Sequence, residues 1–116
     1  MRLRRATLAA FGALTLVLTL PTSASAAFGE FQYTYTGLDG SPQVAVIEDP
    51  AGEECITLPE VADPGASSPA HSPRNRTSAT ATVFTEPGCE GDWFTLRPVT
   101  GRGSERLGLR SVVFSS

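Results

Sequence analysis

Few side chains in this chain could do chemistry, and they are scattered. There is one histidine, His71, two pairs of adjacent acids, Glu48-Asp49 and Glu53-Glu54, and two cysteines, Cys55 and Cys89. Nucleophilic catalysis needs a histidine held by a rigid scaffold beside the nucleophile. His71 lies in a proline-rich stretch, so a solvated loop histidine is expected. Glycoside hydrolysis needs two carboxyls flanking a cleft at a fixed separation. The acid pairs fall in turn-like sequence, where surface carboxylates are usual, and their spacing specifies no cation site. The reading predicts no enzyme: no catalytic residue, no cofactor and no metal ligand set.

The cysteines depend on the compartment. Arg2, Arg4 and Arg5 precede an uncharged apolar run, Leu8 to Leu20, then Pro21 and the small residues Ala24-Ser25-Ala26. This is the pattern of a secretory signal peptide over residues 1–26, and the run is short of the ~20 residues a spanning helix needs. Residues 27–116 are then expected as a single secreted domain with no membrane segment after cleavage. In an oxidising compartment the two cysteines are expected as a disulfide, because a structural metal site needs more ligands than two. The sequence leaves open whether they pair within or between chains. After cleavage six arginines would face twelve acids, with no lysine anywhere, a net charge of about −6. That balance argues against nucleic acid or an anionic membrane as partner.

The elements that must position these residues read as strands. Phe31 to Thr36 alternates aromatic and polar residues, the two-residue period of a half-buried strand. Val44 to Ile47 follows Gly37-Leu38-Asp39-Gly40 as the return arm of a hairpin. Further strands are expected at Cys55–Leu58, Ala79–Phe84, Trp93–Arg97 and Leu109–Phe114, with Phe94 and Leu96 toward the core. Trp93 shares the other, half-exposed face with Thr95 and Arg97, either as a core or edge tryptophan covered by a loop or as a contact for a sugar or a partner. Residues 62–78 hold three prolines and no aliphatic residue larger than alanine, so a Pro/Ser-rich loop is predicted there. Asn75-Arg76-Thr77 matches a glycosylation acceptor but is read as a turn. An internal repeat pairs residues 47–59 with 84–98, matching Ile56-Thr57-Leu58 to Phe94-Thr95-Leu96.

Residues 84–91 carry a resemblance. Phe84, four residues, Cys89, one residue and Gly91 resemble the first-hairpin signature of the βγ-crystallin superfamily, with cysteine in the second aromatic position. Arg110 to Phe114 is similar to the serine-led last strand of that unit. Small secreted actinobacterial members, among them a metalloproteinase inhibitor and killer-toxin-like proteins, are similar in size. The resemblance implies an all-β Greek-key sandwich of crystallin type whose hairpin is defined by Phe84, Gly91, Trp93, Phe94, Leu96 and Ser111. The family's calcium motif precedes the last strand. Here that segment begins Arg106-Leu107 and has Arg110 where a hydroxyl ligand would stand, so calcium binding is not expected.

The functional expectation is a secreted, non-enzymatic binding module. Its leading form is a protease inhibitor, because a tethered loop that is ordered in advance binds at lower entropic cost. Pro73, Arg74, Asn75 and Arg76 would be the presenting residues and a secreted protease, or another extracellular protein, the partner. The alternatives are a killer-toxin-like antimicrobial and a structural or wall-associated protein.

Overall fold

The computed structural model describes residues 26–116, so the expected signal peptide lies almost wholly outside the described residues. Eight strands form: β1 (Gly29–Thr36), β2 (Pro42–Glu48), β3 (Cys55–Thr57), β4 (His71–Thr77), β5 (Thr80–Glu86), β6 (Glu90–Leu96), β7 (Gly101–Arg102) and β8 (Ser111–Ser115). They make two four-stranded antiparallel sheets, ordered β2-β1-β4-β7 and β3-β8-β5-β6. Adding four to each strand number, counted cyclically, turns the first order into the second reversed. The halves β1–β4 and β5–β8 are therefore related by pseudo-symmetry, and each lends its third strand to the other's sheet. The all-β expectation is met, and Cys55 pairs with Cys89 within the chain.

The hydrophobic alternation of β1 explains the core. Phe31 and Tyr33 are buried from the first sheet, and Ala81, Val83, Val112 and Phe114 from the second. Phe31 meets Phe114 edge to face, with ring centroids 5.3 Å apart, an arrangement that adds about 0.5–1.5 kcal/mol beyond the area buried. Leu58, Val61 and Leu109 close one end. There the Tyr33 hydroxyl donates to Glu60 at 2.6 Å. Burial and this bond push the phenol well above its ordinary range. The guanidinium of Arg110, nearly buried, donates to the carbonyls of Val61 and Ser67 and to the Ser67 hydroxyl. It ties the long β3–β4 connection to the sandwich, because a buried charge must be hydrogen-bonded.

Two sequence expectations are corrected. Residues 71–77 of the expected loop are β4, an interior strand. Its two-residue period is carried by Pro73, Asn75 and Thr77, which are buried, against Arg74 and Arg76, which are exposed. Polar residues can occupy core positions because they satisfy one another. Asn75 Nδ2 donates to the carbonyls of Ala79, Leu96 and Arg97, and its Oδ1 accepts from the Thr77 amide and hydroxyl. Pro73 is tolerated because the register against β1 shifts there and Ser72 adopts φ +54°, a bulge where no ladder donor is needed. Asn75 is fully buried, so the glycosylation match is not accessible. The internal repeat is the second correction. The symmetry equates β6 with β2 and β3 with β7, so the matched tripeptides lie on strands that do not correspond.

Candidate functional site

Cross-strand register decides which side chains share a face, since directly opposed residues point to the same side. On the outer face of the second sheet one row runs Cys55–Val113–Thr82–Thr95 and the next Thr57–Ser111–Phe84–Trp93. Thr80 and Ser115 add a third pair. No residue of these rows carries a charge, and Arg97, which continues the third row opposite Thr80, stands exposed at the end of the face. Trp93 stands on this surface 61% exposed.

The strand that carries Trp93 is aimed by its turn. Cys89 and Gly91 both have positive φ, +61° and +85°. A Cβ on Gly91 would collide with the Thr85 hydroxyl and the Glu86 side chain, so only glycine lets the hairpin fold over so tightly. Ser111 then locks it: its hydroxyl accepts from the Cys89 amide at 2.8 Å and donates to the Glu86 carbonyl at 2.6 Å. The Gly88 amide donates to Thr57 Oγ1, and the Asp92 amide to Thr85 Oγ1. The disulfide joins the same turn to β3. Of the residues expected to define this hairpin, Gly91 and Ser111 sit at the fold-over itself and Phe84 pairs with both Trp93 and Ser111.

Two orientations differ from expectation. Phe94 shares the inward side with Val83, its partner across the strands, yet is 48% exposed, and only Leu96 of the two is buried. The reason is position: β6 is the last strand of its sheet. Phe94 overhangs an open groove of about 500 Å³ shared with Pro69, Asp92, Arg106 and Leu107. Trp93 is not covered by a loop. It is exposed because the face it occupies is the outer one.

The outer face of the first sheet has the opposite chemistry. Its rows are Glu48–Glu30–Arg76, Val46–Gln32–Arg74–Arg102 and Val44–Thr34–His71. Arg74 and Arg76 therefore project from a flat strand rather than from a presenting loop, while Pro73 and Asn75 face the core. With Val99, Thr100, Gly101 and Arg102 they line an open depression of about 530 Å³.

The remaining candidates are dispersed. His71 Nδ1 lies 2.9 Å from the Ser72 hydroxyl. Asp49 Oδ1 accepts from the Gly29 amide in a turn, and Glu53 also occupies a turn, with φ +59°. Among the described residues no group of three or more His, Cys, Asp or Glu side chains is placed to hold a metal. Only the β6 part of the Trp93 face was legible in the sequence, because its other members come from three more strands. The available signal was the threonine alternation of Thr80, Thr82 and Thr95. No known protein family, curated protein or solved structure matches the chain.

Proposed function

We propose that this chain is a secreted, non-enzymatic binding module, built as a crystallin-type pair of Greek keys, which binds a neutral polysaccharide on the outer face of its second sheet. The exposure of Trp93 on a face lined by Thr82 and Thr95 carries the reading. An indole offers a flat apolar face against which the C–H side of a pyranose ring can pack, while its N–H and neighbouring threonine hydroxyls can exchange hydrogen bonds with sugar hydroxyls. The rows themselves hold no charge, and the arginine at the end of the face, Arg97, is four residues along the chain from Trp93. The cyclic strand orders, with the exchanged β3 and β7, support the double Greek key, as does the Ser111 lock on a glycine-dependent fold-over. Disulfide closure is compatible with an extracellular site of action.

The test uses the chain's single tryptophan as its reporter. Oxidised protein is titrated with soluble neutral oligosaccharides, and its retention on insoluble cellulose, chitin and β-glucan is measured. A blue shift of tryptophan emission with one glycan class is expected. Trp93→Ala should weaken retention about tenfold or more, a loss of at least ~1.4 kcal/mol, with its melting temperature unchanged. No shift and no retention across the panel by folded protein would overturn the reading.

A further inference from the structure

We infer that the arginine face of the first sheet is a second docking site, for an extended peptide bearing carboxylates at alternate positions. Arg74 on β4 lies directly opposite Arg102 on β7, and Arg76 projects from the same face two residues along. Like charges directly opposed across strands are destabilising, so the fold keeps this arrangement at a cost. Among the described residues Arg110 donates three side-chain hydrogen bonds within the fold. Arg74, Arg76 and Arg102 instead line an open depression. Glu30, the cross-strand neighbour of Arg76, accepts from the Gln32 side chain.

The geometry selects the ligand. Alternate residues of a strand repeat every ~6.8 Å, so Arg74 and Arg76 are spaced like the alternate side chains of another extended chain. Guanidinium groups present forked donors that match a carboxylate with two bonds. Beside them Val99, 63% exposed, is held at φ +68° with its amide donating to the Thr77 carbonyl. A β-branched residue is rarely found in that conformation, and here it sets an apolar contact at the rim of the depression. A phosphate polymer would also meet the arginines. However, the row through Arg76 continues to Glu30 and Glu48, within about two strand spacings of ~4.8 Å each. A long polyanion crossing the sheet would run onto those carboxylates, whereas a short acidic segment need not.

The probe is a capped Glu-Thr-Glu-Thr-Glu peptide, titrated by calorimetry into the oxidised protein at low salt. Its controls are the all-Gln analogue, a contiguous Glu-Glu-Glu-Thr-Thr isomer, and polyphosphate. The alternating peptide should bind best of the four. Arg102→Gln and Arg74→Gln should each weaken it about tenfold without lowering the melting temperature, and Trp93→Ala should leave it unchanged, which separates this site from the polysaccharide face. Equal binding of the Gln or contiguous peptide, tighter binding of polyphosphate, or full binding by the arginine variants would each overturn the inference.

Discussion

The hairpins β1–β2 and β5–β6 occupy equivalent places in the two halves, yet their tips are held in different ways. The first tip is closed by contacts inside five residues. The Gly37 amide donates to the Ser41 carbonyl, the Gly40 amide to the Gly37 carbonyl, and Asp39 Oδ1 accepts from both the amide and the hydroxyl of Ser41. Leu38 at its apex is fully exposed. The second tip is held from a distance, by Cys55, Thr57 and Ser111 on strands of its own sheet. Local bonds define the shape of a turn but leave its attitude to the sheet free. Distant anchors fix the attitude as well, and with it the direction of the strand that carries Trp93. The two outer faces differ as well, the anchored half presenting Trp93 and the threonines and the other the rows of arginines and glutamates.

Removing the longest-range anchor should produce the largest effect. The Cys55–Cys89 crosslink spans 34 residues, and on the chain-entropy model its loss costs roughly 3 to 4 kcal/mol. For a domain whose whole stability is expected at about 5–15 kcal/mol, the Cys55→Ala/Cys89→Ala variant should remain folded with a much lower denaturation midpoint. Hydrogen exchange should quicken at the amides of Gly88 and Cys89 beyond this global change, while Gly40 and Ser41 follow the global change alone. Equal local acceleration at both tips would show that the two are not held differently.

The glycines at the two turns sharpen the contrast. Gly40 and Gly91 have nearly the same φ, +86° and +85°. A Cβ on Gly40 meets nothing within 4 Å, whereas on Gly91 it runs into Thr85 and Glu86. Gly40→Ala should therefore cost only the left-handed backbone penalty, about 1–2 kcal/mol. Gly91→Ala adds overpacking, for a total of roughly 2–4 kcal/mol. Chemical denaturation of the two variants measures both, and equal losses would mean that the second turn is as free to adjust as the first.

What could be read in the sequence follows the same division. Strands β1, β5 and β8 were legible because their hydrophobic period is local, and Gly91 was legible because its motif lies within one hairpin. Strand β4 was not, since the residues it buries are Pro73, Asn75 and Thr77. The burial of Asn75 is stabilised by carbonyls of Leu96 and Arg97, some twenty residues away, and a polar side chain carries no sign of partners so distant. The candidate faces were hidden for a related reason. Trp93 and its half-exposed face could be named, but the strands that complete that face could not, because they come from both halves of the chain. Arg74 and Arg102 become neighbours only through the exchange of β7 between the halves.

The smallest predicted effect concerns the locally closed tip. Hydrogen bonds from the Ser41 side chain, and then from its backbone amide, hold the Asp39 carboxyl below its ordinary value. A depressed carboxylate stabilises the folded turn above the unfolded aspartate pKa of ~3.9, and the contribution is lost as pH falls through the lower folded value. Acidification below about pH 4 should therefore release the Ser41 amide, seen as an upfield shift of its proton resonance whose midpoint lies below that of a free aspartate. Because the side chain is solvent-exposed, global stability should barely respond, and Asp39→Asn should abolish the titration while the melting temperature stays in place. The β5–β6 tip offers the control within the same sample. Its amides at Gly88 and Cys89 are received by the hydroxyls of Thr57 and Ser111, which do not titrate, so their response to pH should be the same with and without Asp39. A shift at Cys89 that disappears in Asp39→Asn would mean that the two tips are coupled through the sandwich, and the separation of local from distant anchoring would fail.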